Sequence, residues 1–480
     1  MTLTSKLRPA LIAALLVGLA LFAILPGLPA QADTRPNFVI VIADDVSAND
    51  LGCYGNTAID TPNIDRIAAE GILFTNAYLT ISSCSPSRSS IITGRYPHNT
   101  GASELHRLLP LDQVRFPKRL RDAGYHAVLS GKIHGITEDD PAFDLISDGN
   151  WPEHPGASED WVQLVQDRPK DKPFLFWLAS IDAHRDWQFD DDIQRYDPAK
   201  VVVPPYMKDT PELREDLAAY YHEITRLDHY VGQVVRVLQE QGVYDNTVIL
   251  VMADNGRPFL GAKGRLFDSG IKTPFVLRYP ELVSAGQTSD SLVSAIDIAP
   301  TVLELAGVDK PEAVQGVSFT TLLAEPEATT RDVAFAECNW HVHKAHERLV
   351  RFGNFAYIKN NYPTHHTRTY MTSLHDRATG GLRDPESNAP PEQLFDLDQD
   401  PHQQVNLAND PAYRTQLLQA RKLLDLWTFQ TGDSIPEHPT PDRAEGSTPD
   451  KPNHNPHREQ PGDSMNATAI HHPGPVRLSD

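Results

Sequence analysis

The chain has 480 residues and a formal net charge of -21 at pH 7. An acidic surface disfavours contact with nucleic acid and with anionic membranes, so neither is an expected partner. The three cysteines are too few for a disulfide scaffold, so the fold must depend on a hydrophobic core. Whether Cys53 pairs with Cys338 is left open.

Residues 1–32 have the features of a secretory signal peptide. Basic residues precede an apolar run at 11–25, and Ala-Gln-Ala at 30–32 provides a small-x-small cleavage site. Pro26 and Pro29 interrupt the apolar stretch, which favours a cleaved peptide over an uncleaved membrane anchor. We therefore expect a periplasmic or secreted protein with no stable membrane insertion.

Residues 33–325 alternate between apolar runs and helical patterns. The runs at 37–43, 172–179 and 247–253, and a shorter one at 127–129, are rich in β-branched and aromatic residues. Such uninterrupted runs are typical of strands buried on both faces of a parallel sheet. With helices between them, they predict an α/β fold in which helices flank a doubly wound sheet.

The clearest helical pattern follows Thr210 and Pro211, a cap with proline in the first turn. Apolar residues then recur every three or four positions from Leu213 to Leu238, which predicts an amphipathic helix of about seven turns. A second helix is expected from about Pro300 to Gly307.

The pattern of apolar runs in the sequence changes after residue 325. Residues 326–432 contain short strand patterns and a helical pattern at 413–428, which indicates a smaller α+β domain. Residues 433–480 are dense in proline, histidine and charge, so we expect an extended or disordered tail, partly pinned to the body.

Two of the predicted strands run into acidic residues. Asp44 and Asp45 follow the first strand, and Asp254 and Asn255 follow the strand at 247–253. If the strands are neighbours, their carboxyl ends share one edge of the sheet, where α/β folds place ligands. Three carboxylates would repel one another without a cation, and an all-oxygen set favours Ca²⁺ or Mg²⁺ over zinc. The alternative is that each pair caps the turn that follows it.

The stretch SSCSPSRSS, residues 82–90, places Cys84 on a polar turn. Pro86 and the serines favour the first turn of a helix, and a helix N-terminus attracts anions. Arg88, one turn further on, adds a cation on the same side. A cysteine phosphatase is excluded, because its loop needs arginine six residues after the cysteine, where this chain has Ser90.

These residues resemble the type I sulfatase family. Cys84-Ser85-Pro86-Ser87-Arg88 matches the signature C-x-P-x-R, and the resemblance extends over nearly all of residues 36–430. The further matching elements are Gly131-Lys132-Ile133-His134, His184 with Ala183 in place of the usual proline, Lys263 within GAKG, and Asp44, Asp45, Asp254 and Asn255. The resemblance implies an alkaline-phosphatase-like fold with a mixed sheet.

The resemblance also implies the cofactors. Cys84 would be converted to Cα-formylglycine by a formylglycine-generating enzyme, which is therefore an expected partner. A Ca²⁺ ion, favoured over Mg²⁺, would be held by the converted residue 84 with the four side chains at the strand ends: Asp44, Asp45, Asp254 and Asn255.

Each catalytic residue has an implied role. An oxygen of the hydrated residue 84 attacks sulfur, and the sulfate bound to that residue is then expelled. Arg88 holds residue 84, while Lys132 and Lys263 neutralise the sulfate oxygens. His134 accepts a proton, His184 protonates the leaving atom, either alone or with Lys263, and Asp254 is the expected base for the attack. Histidines outside these motifs, His98 and His106 among them, are expected to be ordinary surface or core residues.

Several substrates are compatible with these residues. Several segments resemble heparan N-sulfatases, which implies N-sulfoglucosamine in heparan or heparin. Lys263 differs from the arginine of those enzymes, so a carbohydrate O-sulfatase or an arylsulfatase stays open. Two further alternatives also stay open: a catalytically silent binder of sulfated glycans, and a phosphonate or phosphate diester hydrolase. Trp340, His343 and Arg348 are candidates for lining a sugar pocket, or else ordinary residues of the smaller domain. A homodimer is one open outcome.

Overall fold

The computed structural model describes residues 35–341, 344–362 and 390–440. The predicted signal peptide, His343 and the tail beyond residue 440 lie outside the described residues. Within the described part of the chain, none of the helices has the length and apolar character needed to cross a bilayer.

The strands of the described residues are numbered in chain order. They are β1 (Asn37–Ala43), β2 (Ile72–Phe74), β3 (Ala77–Tyr78), β4 (His126–Gly131), β5 (Leu145–Ser147), β6 (Phe174–Ala179), β7 (Thr247–Ala253), β8 (Phe275–Arg278), β9 (Gln287–Ser289), β10 (Val293–Ser294), β11 (Val333–Cys338), β12 (Glu347–Phe352), β13 (Phe355–Asn360) and β14 (Glu392–Asp396).

The largest sheet has eight strands in the order β5-β4-β6-β1-β7-β8-β2-β9. Neighbours from β5 to β7 are parallel, whereas β8 is antiparallel to both β7 and β2. Asn37–Ala43 of β1 pairs residue by residue with Thr247–Ala253 of β7. The two strands that run into acidic residues are therefore adjacent, and the predicted mixed α/β sheet is confirmed.

Nine helices lie within the described ranges. They are α1 (Pro62–Ala69), α2 (Cys84–Thr93), α3 (Phe116–Asp122), α4 (Trp161–Asp167), α5 (Pro211–Glu240), α6 (Asp268–Ile271), α7 (Ile298–Leu305), α8 (Thr320–Ala324) and α9 (Arg414–Thr431).

Strand β1 is buried on both faces. Phe38, Ile40 and Ile42 face one hydrophobic core, which also holds residues of α2, α3 and α7. Val39 and Val41 face the other, which α1 and α5 cover. Each such side chain contributes roughly 1.5–3 kcal/mol by leaving water. The unbroken apolar run is explained, because no position on this strand faces solvent.

Helix α5 begins as its sequence predicts. The Thr210 hydroxyl accepts a hydrogen bond from the Leu213 N–H at 3.2 Å, and Pro211 occupies the first helical position. Three of its buried side chains, Leu217, Ile224 and Val231, pack against the central sheet. This long helix fixes the loop that follows β6, which carries His184.

A second sheet, β11-β12-β13-β14, is antiparallel throughout. One face packs on α9 through Leu424 and Trp427, and Leu349 on the other face joins the core of the large sheet. The strands and helix expected after residue 325 are present, while the domain boundary at 325/326 stays a prediction. All three cysteines are free, so Cys53 and Cys338 form no disulfide.

Candidate active site

The ends of β1 and β7 meet the N-terminus of α2. Ligand atoms of Asp44, Asp45 and Cys84 all lie within 4.8 Å of one another. The Asp45 N–H donates to Asp254 Oδ1 at 3.3 Å, and the Asn255 amide donates to Asp45 Oδ1 at 2.6 Å. The structure thus brings together all five residues that the sequence proposes as metal ligands, and none is more than 3% exposed.

The acidic cluster fits a divalent cation. Asp44 Oδ1 and Asn255 Oδ1 are buried acceptors without a hydrogen-bond partner among the described residues. Burial raises the pKa of Asp45 to about 6 despite Lys263, and that of Asp254 to about 6 despite Arg88. Buried acceptors that lack donors, beside carboxyls that resist ionisation, are stabilised by a hard cation.

Cys84 is the first residue of α2, with Ser83 extended at the N-cap. The predicted helix is confirmed and continues through Ile91 and Ile92. Burial raises the pKa of the Cys84 thiol to about 12, despite the nearby Lys132 and Lys263. The side chain is thus a neutral thiol at physiological pH, which is neither a good nucleophile nor a good ligand for a hard cation.

Arg88 reaches the cluster from the second turn of α2. Its Nε–H donates to Asp254 Oδ2 at 2.7 Å, and the residue is only 3% exposed. Its two terminal nitrogens are buried without a hydrogen-bond partner among the described residues. Two charged donors are therefore left for an anion beside Cys84.

Two lysines complete the cationic side of the site. Lys132 contacts Asp44, and Lys263 Nζ donates to both carboxylate oxygens of Asp45 at 2.5 and 2.7 Å. Burial alone would raise the pKa of Asp44, but Lys132, His184 and Lys263 hold it well below its usual value. Both predicted sulfate-binding lysines thus face the carboxylates that are the candidate metal ligands.

Two glycines shape the turn that carries Lys132 and His134. At Gly131 (φ 99°), a Cβ would lie 1.9 Å from the Ala179 carbonyl oxygen, and at Gly135 (φ 89°), 2.8 Å from Ser89 Oγ. Only glycine allows both the left-handed backbone and this close approach to β6 and α2. The turn is thereby pressed against the helix of Cys84.

His184 follows β6 in a loop tied to β1. The Ala183 N–H donates to the Asp44 carbonyl at 2.6 Å, and the His184 Nδ1–H donates to the Arg185 carbonyl. Burial, Lys263 and Lys132 lower the pKa of His184 to about 3. The ring is therefore neutral and presents Nε2 as an acceptor, so it can protonate a leaving atom only after gaining a proton.

Two contacts of this region were not anticipated from the sequence. Asp182, beside the His184 loop, is held by the buried guanidinium of Arg226 from α5, with Nε at 3.1 Å. His106 Nδ1 lies 2.8 Å from His134 Nε2. His106 was expected to be an ordinary histidine, and no motif marks it because its partner is 28 residues away.

Two of the candidates for lining a sugar pocket, Trp340 and Arg348, are buried. Arg348 is 2% exposed and donates to both oxygens of Asp433, at 2.6 and 2.8 Å. Trp340 is also buried, and its carbonyl accepts the Leu105 N–H at 3.2 Å. Arg348 thus fixes the segment after α9, as an ordinary residue of the C-terminal region would.

Residues 36–308 match the family described as Sulfatase, and residues 261–367 match the one described as N-sulphoglucosamine sulphohydrolase, C-terminal. The human N-sulphoglucosamine sulphohydrolase is 30% identical over 466 residues, covering 83% of this chain and 91% of the relative. An ulvan-active sulfatase of Formosa agariphila is 29% identical over 420 residues, covering 84% of this chain and 82% of the relative.

Solved structures share the fold. The structure of BT4656 in complex with its substrate D-glucosamine-2-N,6-O-disulfate superposes with a TM-score of 0.67 at 22% identity, covering 83% of this chain and 99% of that one. The phosphonate monoester hydrolase of Agrobacterium radiobacter has a TM-score of 0.64 at 19% identity, covering 82% and 95%. At such identities the likeness establishes architecture alone. From the family matches and the human relative, the chain belongs to the sulfatase family, the hydrolases of sulfate esters and sulfamides.

Proposed function

We propose that this protein is a formylglycine- and calcium-dependent sulfatase that releases sulfate from N-sulfoglucosamine in heparan- or heparin-type saccharides. One observation carries the proposal. Around Cys84, buried acceptors of Asp44 and Asn255 and buried donors of Arg88 lack partners among the described residues. This pattern fits a cation and a tetrahedral anion bound side by side.

A formylglycine at position 84 and a Ca²⁺ ion held by Asp44, Asp45, Asp254 and Asn255 would supply an oxygen nucleophile and a Lewis acid. Cys84 as a thiol supplies neither, since burial raises its pKa to about 12. A phosphonate or sulfate monoester would suit the same charges, but the family match favours sulfate.

The remaining side chains bind the anion and move protons. Arg88 offers its two terminal NH2 groups, which are unbonded within the described residues, and Lys132 and Lys263 place positive charge where sulfate oxygens gain negative charge. A bound anion would raise the low pKa of His184, because it offsets the two lysines that help to depress that pKa. His184 could then protonate the leaving nitrogen or oxygen from Nε2.

The substrate assignment rests on the relatives. The C-terminal family match and the human relative both carry the name N-sulphoglucosamine sulphohydrolase. An O-sulfatase is the second candidate, because an ulvan-active sulfatase is almost as similar. We further propose export by the first 32 residues and conversion of Cys84 by a formylglycine-generating enzyme.

The test combines mass spectrometry and sulfate release. The peptide that contains Cys84 should carry an aldehyde in place of the thiol, and the protein should release sulfate from N-sulfoglucosamine faster than from glucosamine 6-sulfate or an aryl sulfate. Cys84→Ala should abolish release, while Cys53→Ser, a change in a half-buried cysteine outside the site, should not. Sulfate from the O-linked compounds alone would reject the sulfamidase assignment, and an unmodified thiol in active protein would reject the mechanism.

A further inference from the structure

His106 lies against His134 at the edge of the site. Its Nδ1 is 2.8 Å from His134 Nε2, and the two ring centroids are 4.9 Å apart with planes tilted by 37°. His106 is exposed to solvent, whereas His134 is partly covered and its Nδ1 is buried. The two rings therefore connect the inside of the site with its surface.

Several backbone contacts fix the loop that carries His106. Its N–H donates to Ser85 Oγ at 2.7 Å, directly after Cys84 in α2. On either side, the Leu105 N–H donates to the Trp340 carbonyl at 3.2 Å and the Leu109 N–H to the Gly135 carbonyl at 2.7 Å. The loop is thus tied both to the helix of Cys84 and to the turn of His134.

The backbone of His106 is held in an unfavourable conformation. Its φ is 67°, in the left-handed region that residues with a side chain rarely occupy. Such a conformation persists only where surrounding contacts impose it, and it is commonest at functional sites. Here it directs the imidazole of His106 onto His134.

A hydrogen bond between two ring nitrogens uses one proton. If His106 is the donor, the neutral His134 carries its own proton on Nδ1. If His134 Nε2–H is the donor, His134 Nδ1 has a free lone pair. That buried nitrogen has no hydrogen-bond partner among the described residues, so the first arrangement would bury an unsatisfied N–H donor.

We propose that His106 is a positioning residue that holds His134 in the Nε2–H tautomer, so that Nδ1 can accept a proton inside the site. The inference rests on the proposed function and on the role of proton acceptor that the sulfatase motif implies for His134. Lys132 and Arg88 lie near His134, and burial together with these cations and His106 lowers its pKa well below the usual value, so the ring is neutral before it acts. A neutral ring needs a partner to fix its tautomer.

Nitrogen-15 NMR of the full-length protein with labelled histidines tests the tautomer directly, with neither substrate nor cofactor chemistry. His134→Gln assigns the signals of His134. The expected spectrum shows His134 protonated at Nε2 and bare at Nδ1, and His106→Ala converts it to a mixture of tautomers. A proton on Nδ1 in the unchanged protein, or the same spectrum in His106→Ala, would overturn the proposal.

Kinetics with N-sulfoglucosamine provide the second measurement. His106→Ala should lower kcat by about 10- to 100-fold with KM changed less than about twofold. Partners that orient metal-ligating histidines have effects of this size, and His106 would orient His134 in the same way. His106→Asn should recover most of kcat and the tautomer, because asparagine tolerates the left-handed backbone and its Oδ1 can accept the same proton. If His106→Asn fails to recover either kcat or the Nε2–H tautomer of His134, a positioning role is contradicted.

Leu108→Ala is the matched control. Leu108 lies on the same loop, is 56% exposed, and takes no part in the loop hydrogen bonds described above. It should leave both kcat and the His134 spectrum unchanged, and an effect as large as that of His106→Ala would assign the loss to the loop rather than to the imidazole. If the unchanged protein releases no sulfate, the proposed function fails while the NMR result still decides the role of His106.

Discussion

Arg88 donates its Nε–H to Asp254 at 2.7 Å and keeps both terminal nitrogens unbonded within the described residues. The side-chain exposures of the two groups are 4% and 0%, so this is a buried ion pair. One guanidinium thus neutralises a candidate metal ligand and leaves two donors for an anion. This double role links the stability of the site to its capacity to bind an anion.

Replacing Arg88 should affect stability and activity together. Arg88→Ala leaves Asp254 buried without its cation, which costs about 3–5 kcal/mol, and removes the two free donors, which lowers kcat/KM by about 100-fold or more. Arg88→Lys keeps the charge and should recover stability more than activity, because an ammonium lacks the planar fork. Urea denaturation and sulfate release measure the two effects. A stable, active Arg88→Ala would contradict the assignment.

Removing divalent ions should destabilise the folded protein. Asp44, Asp45 and Asp254 are fully buried, and a bound cation would offset their mutual repulsion. The free energy of unfolding should rise by about 2.7 kcal/mol when Ca²⁺ is present at 100 times its Kd. Thermal unfolding with chelator and with added Ca²⁺ measures the change. Asp44→Ala should abolish the Ca²⁺ response, and a Tm that ignores Ca²⁺ in the unchanged protein would argue against the metal site.

Asp433 should make stability depend on pH on the acid side. Arg348 and His98 hold its pKa below the usual value although burial alone would raise it. A depressed pKa contributes stability above the unfolded value of about 3.9, and this contribution is lost as pH falls through the folded pKa. Asp433→Asn should therefore cost about 3–5 kcal/mol at pH 7 and less below pH 4, measured by urea denaturation.

Asp209→Asn is the control for this experiment. Asp209 also receives two hydrogen bonds from one arginine, Arg214, both at 2.6 Å, but its side chain is 53% exposed. Water screens that pair, so its removal should change stability little at any pH. Equal effects of the two substitutions would mean that burial does not set the strength of the Asp433 pair.

Gly135→Ala tests the packing of the turn on α2. The added Cβ would lie 2.8 Å from Ser89 Oγ in a backbone with φ 89°, so the turn must shift and carry Lys132 and His134 with it. We expect a loss of about 1–3 kcal/mol and a clear fall in kcat. Gly242→Ala, at φ 67° with nothing within 4 Å, adds the same backbone cost without the clash and should keep full activity.

Much of the fold could be predicted from local sequence patterns. The runs of β1 and β7 are apolar at every position because both faces of the sheet are covered, and the cap at Thr210 marks the start of α5. The limits of elements were less accurate. Strand β6 begins at Phe174 rather than at Lys172, after a proline that has no N–H to donate, and α9 continues to Thr431, where Gly432 closes it at φ 68°.

The site residues that belong to sequence motifs could be predicted, whereas the contacts that support them could not. Strand ends and the helix start determine where Asp44, Asp254 and Cys84 lie, because the topology alone brings them together. The contact of His106 with His134 depends on a left-handed residue and three loop hydrogen bonds, none of which leaves a periodic pattern. The supporting pair of Asp182 and Arg226 escapes prediction for a similar reason, since long-range pairing of buried charges has no local signature.

The burial of residue 84 also limits when another protein can reach that residue. Every residue of α2 is buried, and Cys84 keeps only 3% of its surface in contact with water. A second protein cannot bind that side chain once the sheet and the helix have folded and buried it. If residue 84 is converted as proposed, the modifying enzyme must therefore act on the extended polypeptide, and a molecule that folds first would keep an unconverted thiol. The yield of active protein would then depend on the relative rates of folding and modification.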